Sequence, residues 1–283
     1  MLPLLHPRTH LLAALLLVAA AGCSSKPTYP TAHVSEAIQA LLKEDQLNAR
    51  VRFIDHTVAV QVEYPDTLTQ ANGQITIGPA FDEVGRKVLT TLHRVLLSTD
   101  AEIRFYVLLV SDPKTPGAYL TMVRYMDDLR RANANMLDTP EMFARTIFEL
   151  NLMGPQPMTL EQFVPRDVRL EDFLSWQLAR RIQHKLMEDL QAAGQADVGR
   201  CGGEFRNGEF VFTLNVAPTK GDTLDEKTLK KVFQESTDVI TKVLSSYQFN
   251  SFDTVRLIHL PTGRNLILPK TRLELLPHSP AAR

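Results

Sequence analysis

The chain has 283 residues, 44% of them hydrophobic and 22% charged, and 31 Lys and Arg against 32 Asp and Glu leave a formal net charge of −1. That composition supports a folded core and excludes a disordered chain. Near-neutral, interspersed charge offers no footprint for nucleic acid, and two cysteines exclude a disulfide-stapled fold.

In chain order, a cationic start (Arg8, with His6 and His10) precedes an apolar run from Leu11 to Cys23, which closes on Ala20-Ala21-Gly22-Cys23. Polar Ser24-Ser25-Lys26-Pro27 follows. A basic beginning, an apolar centre and small residues at a cut site mark an exported N-terminus, and the run is too short for a permanent membrane helix. With Cys directly after the small residues, the segment resembles the lipobox of bacterial lipoproteins, although Ala20 stands where leucine is usual. The resemblance implies removal of residues 1–22 and diacylglycerol on the Cys23 sulfur. With Ser24 rather than Asp next, it also implies an outer-membrane address facing the periplasm. Two or three acyl chains, at about 0.8 kcal/mol per buried methylene, make such an anchor effectively permanent.

Residues 23–32, rich in Ser, Thr and Pro, read as a tether. A first unit, 33–135, opens with a helix carrying Val34, Ile38, Leu41 and Leu42 on one face. A hairpin follows, Val51 to Ile54 and Val58 to Tyr64, turning at Asp55-His56. Pro65 to Pro79 reads as a polar loop with a brief extended piece at Gln74 to Ile77. Phe81, Val84, Val88, Leu92 and Val95 then predict a helix to Leu97. A central strand from Ile103 to Val110 pairs with Tyr119 to Tyr125, and Asp127 to Ala134 forms a short helix.

Residues 136–169 read as a helical and Pro-rich connector. Its helix starts at Thr139-Pro140-Glu141, carries Met142, Phe143, Ile147, Phe148 and Leu150, and stops at Gly154-Pro155. The second unit, 170–276, opens with the longest helix. Its Leu170, Leu174, Leu178, Ile182, Leu186 and Leu190 are four apart, so the stripe drifts about 40° per step and its ends meet different neighbours. Asn207-Gly208 is a strong hairpin signal between Gly203 and Val216. A helix with Leu229, Val232, Ile240 and Val243 follows, then strands at Thr254 to Leu260 and Asn265 to Leu268, with Arg272 to Leu276 as a continuation. Residues 277–283 read as a loose tail.

Helix, hairpin, helix, hairpin thus occurs twice. Phe53-Ile54-Asp55-His56 matches Phe205-Arg206-Asn207-Gly208, and Ile103-Arg104-Phe105 matches Val255-Arg256-Leu257. The fold class expected is α+β: two repeated units, each an antiparallel sheet with helices on one face.

Local chemistry is sparse. Cys201 lies beside Arg200 among glycines, but an inert, partly buried thiol is the better reading. The mature histidines never fall at a metal spacing, and His56, His93 and His184 read as solvated. Asp127-Asp128 points two ways, and Arg130-Arg131 and Arg180-Arg181 with Lys185 read as solvated faces. No catalytic residue, metal or cofactor is assigned. The long loop, with Asn72, Gln74, Ile75 and Ile77, is the candidate partner-binding element. The function expected is a non-enzymatic interaction or assembly scaffold. It is held to the membrane through lipidated Cys23 and engages an unidentified envelope protein. The alternatives are an envelope hydrolase with scattered catalytic residues, or a ligand- or glycan-binding lipoprotein with a cleft between its two lobes.

Overall fold

The computed structural model describes residues 28–152, 159–221 and 223–274. Residues 1–27, with the expected signal segment, Cys23 and the start of the expected tether, the helix stop expected at Gly154-Pro155, and the expected tail from 277 lie outside the described residues. Helix α1 is Val34–Glu44, β1 Ala49–Ile54, β2 Thr57–Glu63, β3 Leu68–Ala71, β4 Gln74–Ile77 and α2 Phe81–Leu96. Next come β5 Phe105–Ser111, β6 Ala118–Tyr125, α3 Met126–Asn133, α4 Thr139–Arg145, β7 Ile147–Leu152 and α5 Leu160–Phe163. Helix α6 is Leu170–Leu186, followed by a wider turn at Met187–Gln191. The chain ends with β8 Ala196–Val198, β9 Gly202–Arg206, β10 Glu209–Leu214, β11 Val216–Pro218, α7 Glu226–Ser246, β12 Thr254–His259, β13 Asn265–Pro269 and α8 Lys270–Glu274.

The fold is α+β, built on a five-stranded sheet β1-β2-β5-β6-β7 and a four-stranded sheet β9-β10-β12-β13. The expectation of purely antiparallel sheets is corrected: β2 runs parallel to β5, and β10 to β12. In each case the connection passes through a helix, α2 or α7, which brings the next strand back in the same direction. Val58 and Phe210 hold the same place relative to their hairpin turns. Beside Val58 lie Tyr106 and then Arg124, and beside Phe210 lie Val255 and then Leu268. The sequence match of Ile103 to Val255 is therefore out of register with the pairing.

Three other expectations change. The connector helix ends at Arg145, capped at its start by Asp138 rather than Thr139, with the Glu141 amide donating to Asp138 Oδ1 at 2.7 Å. Ile147 to Leu152, read as its continuation, is instead the fifth strand of the first sheet. The loop at 65–79 contains a hairpin, β3 with β4, turning at Asn72-Gly73, both at positive φ. Finally, Lys270–Glu274 is helical where a strand continuation was expected.

The layers explain the winding stripe of α6. One face of the first sheet, with Val58, Val60, Tyr106 and Leu108, packs under α1 and α2. Its other face, with Ala59, Phe105, Val107 and Leu109, shares a single apolar cluster with Phe173, Leu174 and Leu178 of α6 and Phe210 and Phe212 of the second sheet. Helix α6 is thus buried from two sides. So close does it lie to β9 that a Cβ on Gly203 would sit 2.3 Å from the Ser175 carbonyl oxygen. The second sheet packs Phe210, Phe212 and Leu257 against α6 and α7, whereas the first is covered on both faces. The sheets are neither edge to edge nor separate lobes.

A buried polar cluster closes the junction. Arg145 donates from Nη1 to Asp128 Oδ1 and from Nε to Glu141 Oε1, both at 2.9 Å. The Tyr247 hydroxyl donates to Asp128 Oδ2 at 2.7 Å, and the Arg145 guanidinium lies 4.6 Å from the Tyr247 ring centre. Gln177 Nε2 donates to the Arg145 carbonyl at 2.6 Å and to the Tyr247 oxygen at 2.9 Å. Burial, and then the Asp128 charge, push the Tyr247 phenol well above its ordinary range. Burial opposes ionisation of Glu141, yet Arg181 and Arg145 hold its carboxyl below the usual carboxylate value.

Candidate functional site

Helix α2 is amphipathic because Val84, Val88, Leu92 and Val95 recur every three or four residues, and they seat it on the first sheet. It does not cover the whole sheet. Between its far side and strands β6 and β7 runs a groove of about 640 Å³. The walls are largely apolar, with Phe81, Leu89, Leu108, Leu120, Met122 and Phe143 among them. Its rim continues along β7, where Phe148, Leu150 and Leu152 point outward and Leu152 is 71% exposed. Phe148 meets Phe81 edge-on, with ring centres 6.0 Å apart.

Arg124 and His93 line the floor, fully buried Tyr106 lies beneath them, and Asp82 and Arg86 of α2 also line the groove. Along β6 the side chains of Ala118, Leu120 and Met122 turn toward the helix layer. Period-two alternation puts Arg124 on the same face. Arg124 is only 4% exposed and donates from Nε to Thr146 Oγ1 at 3.1 Å. Its guanidinium carbon lies 5.9 Å from the ring centre of Tyr106, its cross-strand neighbour. The Tyr106 hydroxyl shares a 3.0 Å hydrogen bond with His93 Nε2 of α2. Among the described residues, Arg124 has no carboxylate partner. Burial pushes the Tyr106 phenol up to about 12. His93, read from sequence as solvated, is half-buried, and burial followed by the Arg124 charge brings its ring down to about 4.

The His93 shift has a testable consequence. An unfolded chain takes up the proton near pH 6.5, but the folded chain does so only near pH 4. The contribution of the neutral ring is therefore complete above pH 6.5 and is lost as pH falls toward 4, by up to about 3 kcal/mol. Urea midpoints measured across that window should fall for the natural chain and stay flatter for His93→Gln. Superimposable profiles would remove His93 as the cause.

The other candidates lie elsewhere. Asn72, Gln74, Ile75 and Ile77 sit on the β3–β4 hairpin and do not line the groove. Ile77 is 52% exposed, while Ile75 packs against the core under α2. Asp112 Oδ2 accepts from the Leu68 amide at 3.1 Å, which fixes the base of the hairpin. Cys201 is buried, and desolvation pushes its thiol up, so the thiolate a nucleophile requires is disfavoured. Buried His259 uses both ring nitrogens, on the Val216 carbonyl and the Thr262 hydroxyl, and His56 Nδ1 contacts the Glu102 carbonyl. Arg180 pairs with Glu149, Arg181 with Glu141 and Lys185 with Asp189, so these cations are engaged rather than merely solvated. Phe105, Tyr125, Phe173 and Tyr247 fill the centre of the junction, where the ligand- or glycan-binding alternative calls for a cleft. No described helix is long and apolar enough to cross a membrane.

Comparison with protein-family models and with curated proteins finds no match to this chain.

Proposed function

We propose that this chain is a lipid-anchored protein of the cell envelope, at the outer membrane and facing the periplasm, which binds an apolar partner without chemistry of its own. Supporting the anchor is the run Leu11 to Cys23 with its closing Ala-Ala-Gly-Cys. The single observation that carries the binding role is the solvent-open apolar groove beside α2, rimmed by Phe143 and Phe148, with exposed Leu150 and Leu152 further along β7. Monomeric proteins rarely leave a contiguous patch of this kind uncovered unless something docks there. In this proposal the two units are a duplication: each carries a hairpin, a crossover helix and a second hairpin with the same strand order and directions. The exposed β3–β4 hairpin is a second contact surface, for an envelope protein.

Gly85 of α2 lines the groove, and a Cβ there would meet only Phe81 Cζ, at 3.9 Å. Gly85→Leu therefore adds bulk to the groove without straining the backbone. A neutral polarity-sensitive dye should bind the natural chain and lose at least about 10-fold affinity in Gly85→Leu, the equivalent of one buried isobutyl group's exclusion. Failure of the natural chain to take up the dye would remove the groove as the working surface.

A further inference from the structure

The two sheets place different side chains at matching positions. In the first, the row that starts at Val58 continues through Tyr106 to Arg124; in the second, the row from Phe210 continues through Val255 to Leu268. The second row is fully buried and apolar. The architecture is therefore satisfied by valine and leucine where the first sheet has a tyrosine and an arginine. Burying a guanidinium without a carboxylate costs free energy, which a purely structural position would avoid. In the first sheet that cation lines an open groove.

We propose that the groove beside α2 binds a long-chain carboxylate, with its head group on Arg124 and its acyl chain along Leu89, Leu120 and Met122 toward the exposed side chains of β7. The proposal rests on the groove being the working surface and adds the chemical class of the ligand. The ligand carboxylate supplies the counter-charge that Arg124 lacks among the described residues, and a planar guanidinium suits its two oxygens. Tyr106, fully buried beneath Arg124, is held by His93 rather than offered to the ligand. His93, neutral at ordinary pH, leaves the charge at the floor to Arg124. The walls select the rest of the molecule. A peptide main chain lying there would leave N–H and C=O groups facing leucine and methionine, at a cost for each unpaired group. An acyl chain has none.

The test uses the mature chain with dodecanoate, dodecanol and dodecyltrimethylammonium below their micelle concentrations, each displacing the neutral dye. Dodecanoate should bind about 10- to 100-fold more tightly than the alcohol, the range expected for a hydrogen-bonded charge, and the ammonium most weakly. Arg124→Met should abolish that preference, and a urea-unfolding slope equal to that of the natural chain shows that the variant is folded. Equal binding of acid and alcohol with the dye still bound would overturn the carboxylate assignment alone, as would a preference that survives Arg124→Met. Tighter displacement by a leucine-rich peptide with a free C-terminus would overturn the acyl assignment. Absence of dye binding as well would overturn both the ligand class and the groove.

Discussion

Arg145→Met is expected to destabilise the fold by about 3–5 kcal/mol, the range found when one partner of a buried ion pair is removed. Methionine replaces much of the volume but none of the donors. Asp128, whose side chain is 3% exposed, would keep only the Tyr247 hydroxyl, and Glu141 would lose its bond to Arg145 Nε. The penalty is the stranded carboxylate rather than the worth of the pair. A second substitution discriminates between the two: Arg145→Met with Asp128→Leu removes both charges and should recover most of the loss. Urea unfolding with an unchanged slope provides the measurement. If the single variant costs under about 1 kcal/mol, the cluster is not what holds the junction.

Phe173→Ala should cost about 3–5 kcal/mol as well, through the cavity it leaves. The Phe173 ring lies 5.3 Å from Phe105, 6.3 Å from Tyr125 and 6.4 Å from Tyr247. It therefore touches the first sheet and the end of α7 at once, and collapse around the void would require both to move. A loss confined to about 1 kcal/mol, within the range of partly exposed apolar positions, would mean that the two sheets do not share a core through α6.

The architecture was legible wherever turn chemistry and periodicity agreed. Asn207-Gly208 and Asp55-His56 mark hairpins in the sequence and turn in the structure, with Asp55 and Asn207 at positive φ. Asn72-Gly73 carries the same signal, but the Leu-Thr-Gln-Ala before it is too polar to read as a strand. In Ile147 to Leu152 the apolar residues fit a helical spacing after Phe143 and also an alternation with Glu149 and Asn151; only pairing with β6 decides between them. The four-residue steps of α6 correctly implied more than one neighbour. The groove was harder to see, because its polar floor joins residues from α2, β5 and β6 that meet only through strand register. One signal was available: in Leu120-Thr121-Met122-Val123-Arg124, alternation sets an arginine on the face that leucine and methionine bury.

The position of α6 also constrains how the protein is made. The inner face of the first sheet, with Phe105, Val107 and Leu109, is covered by a helix that begins at Leu170, beyond all five of that sheet's strands in the chain. During synthesis the N-terminal half therefore emerges with an apolar sheet face bare, and it cannot finish folding until the next segment has been delivered. Folding of the whole is then tied to arrival of one helix, and the unfolding of either half exposes the other.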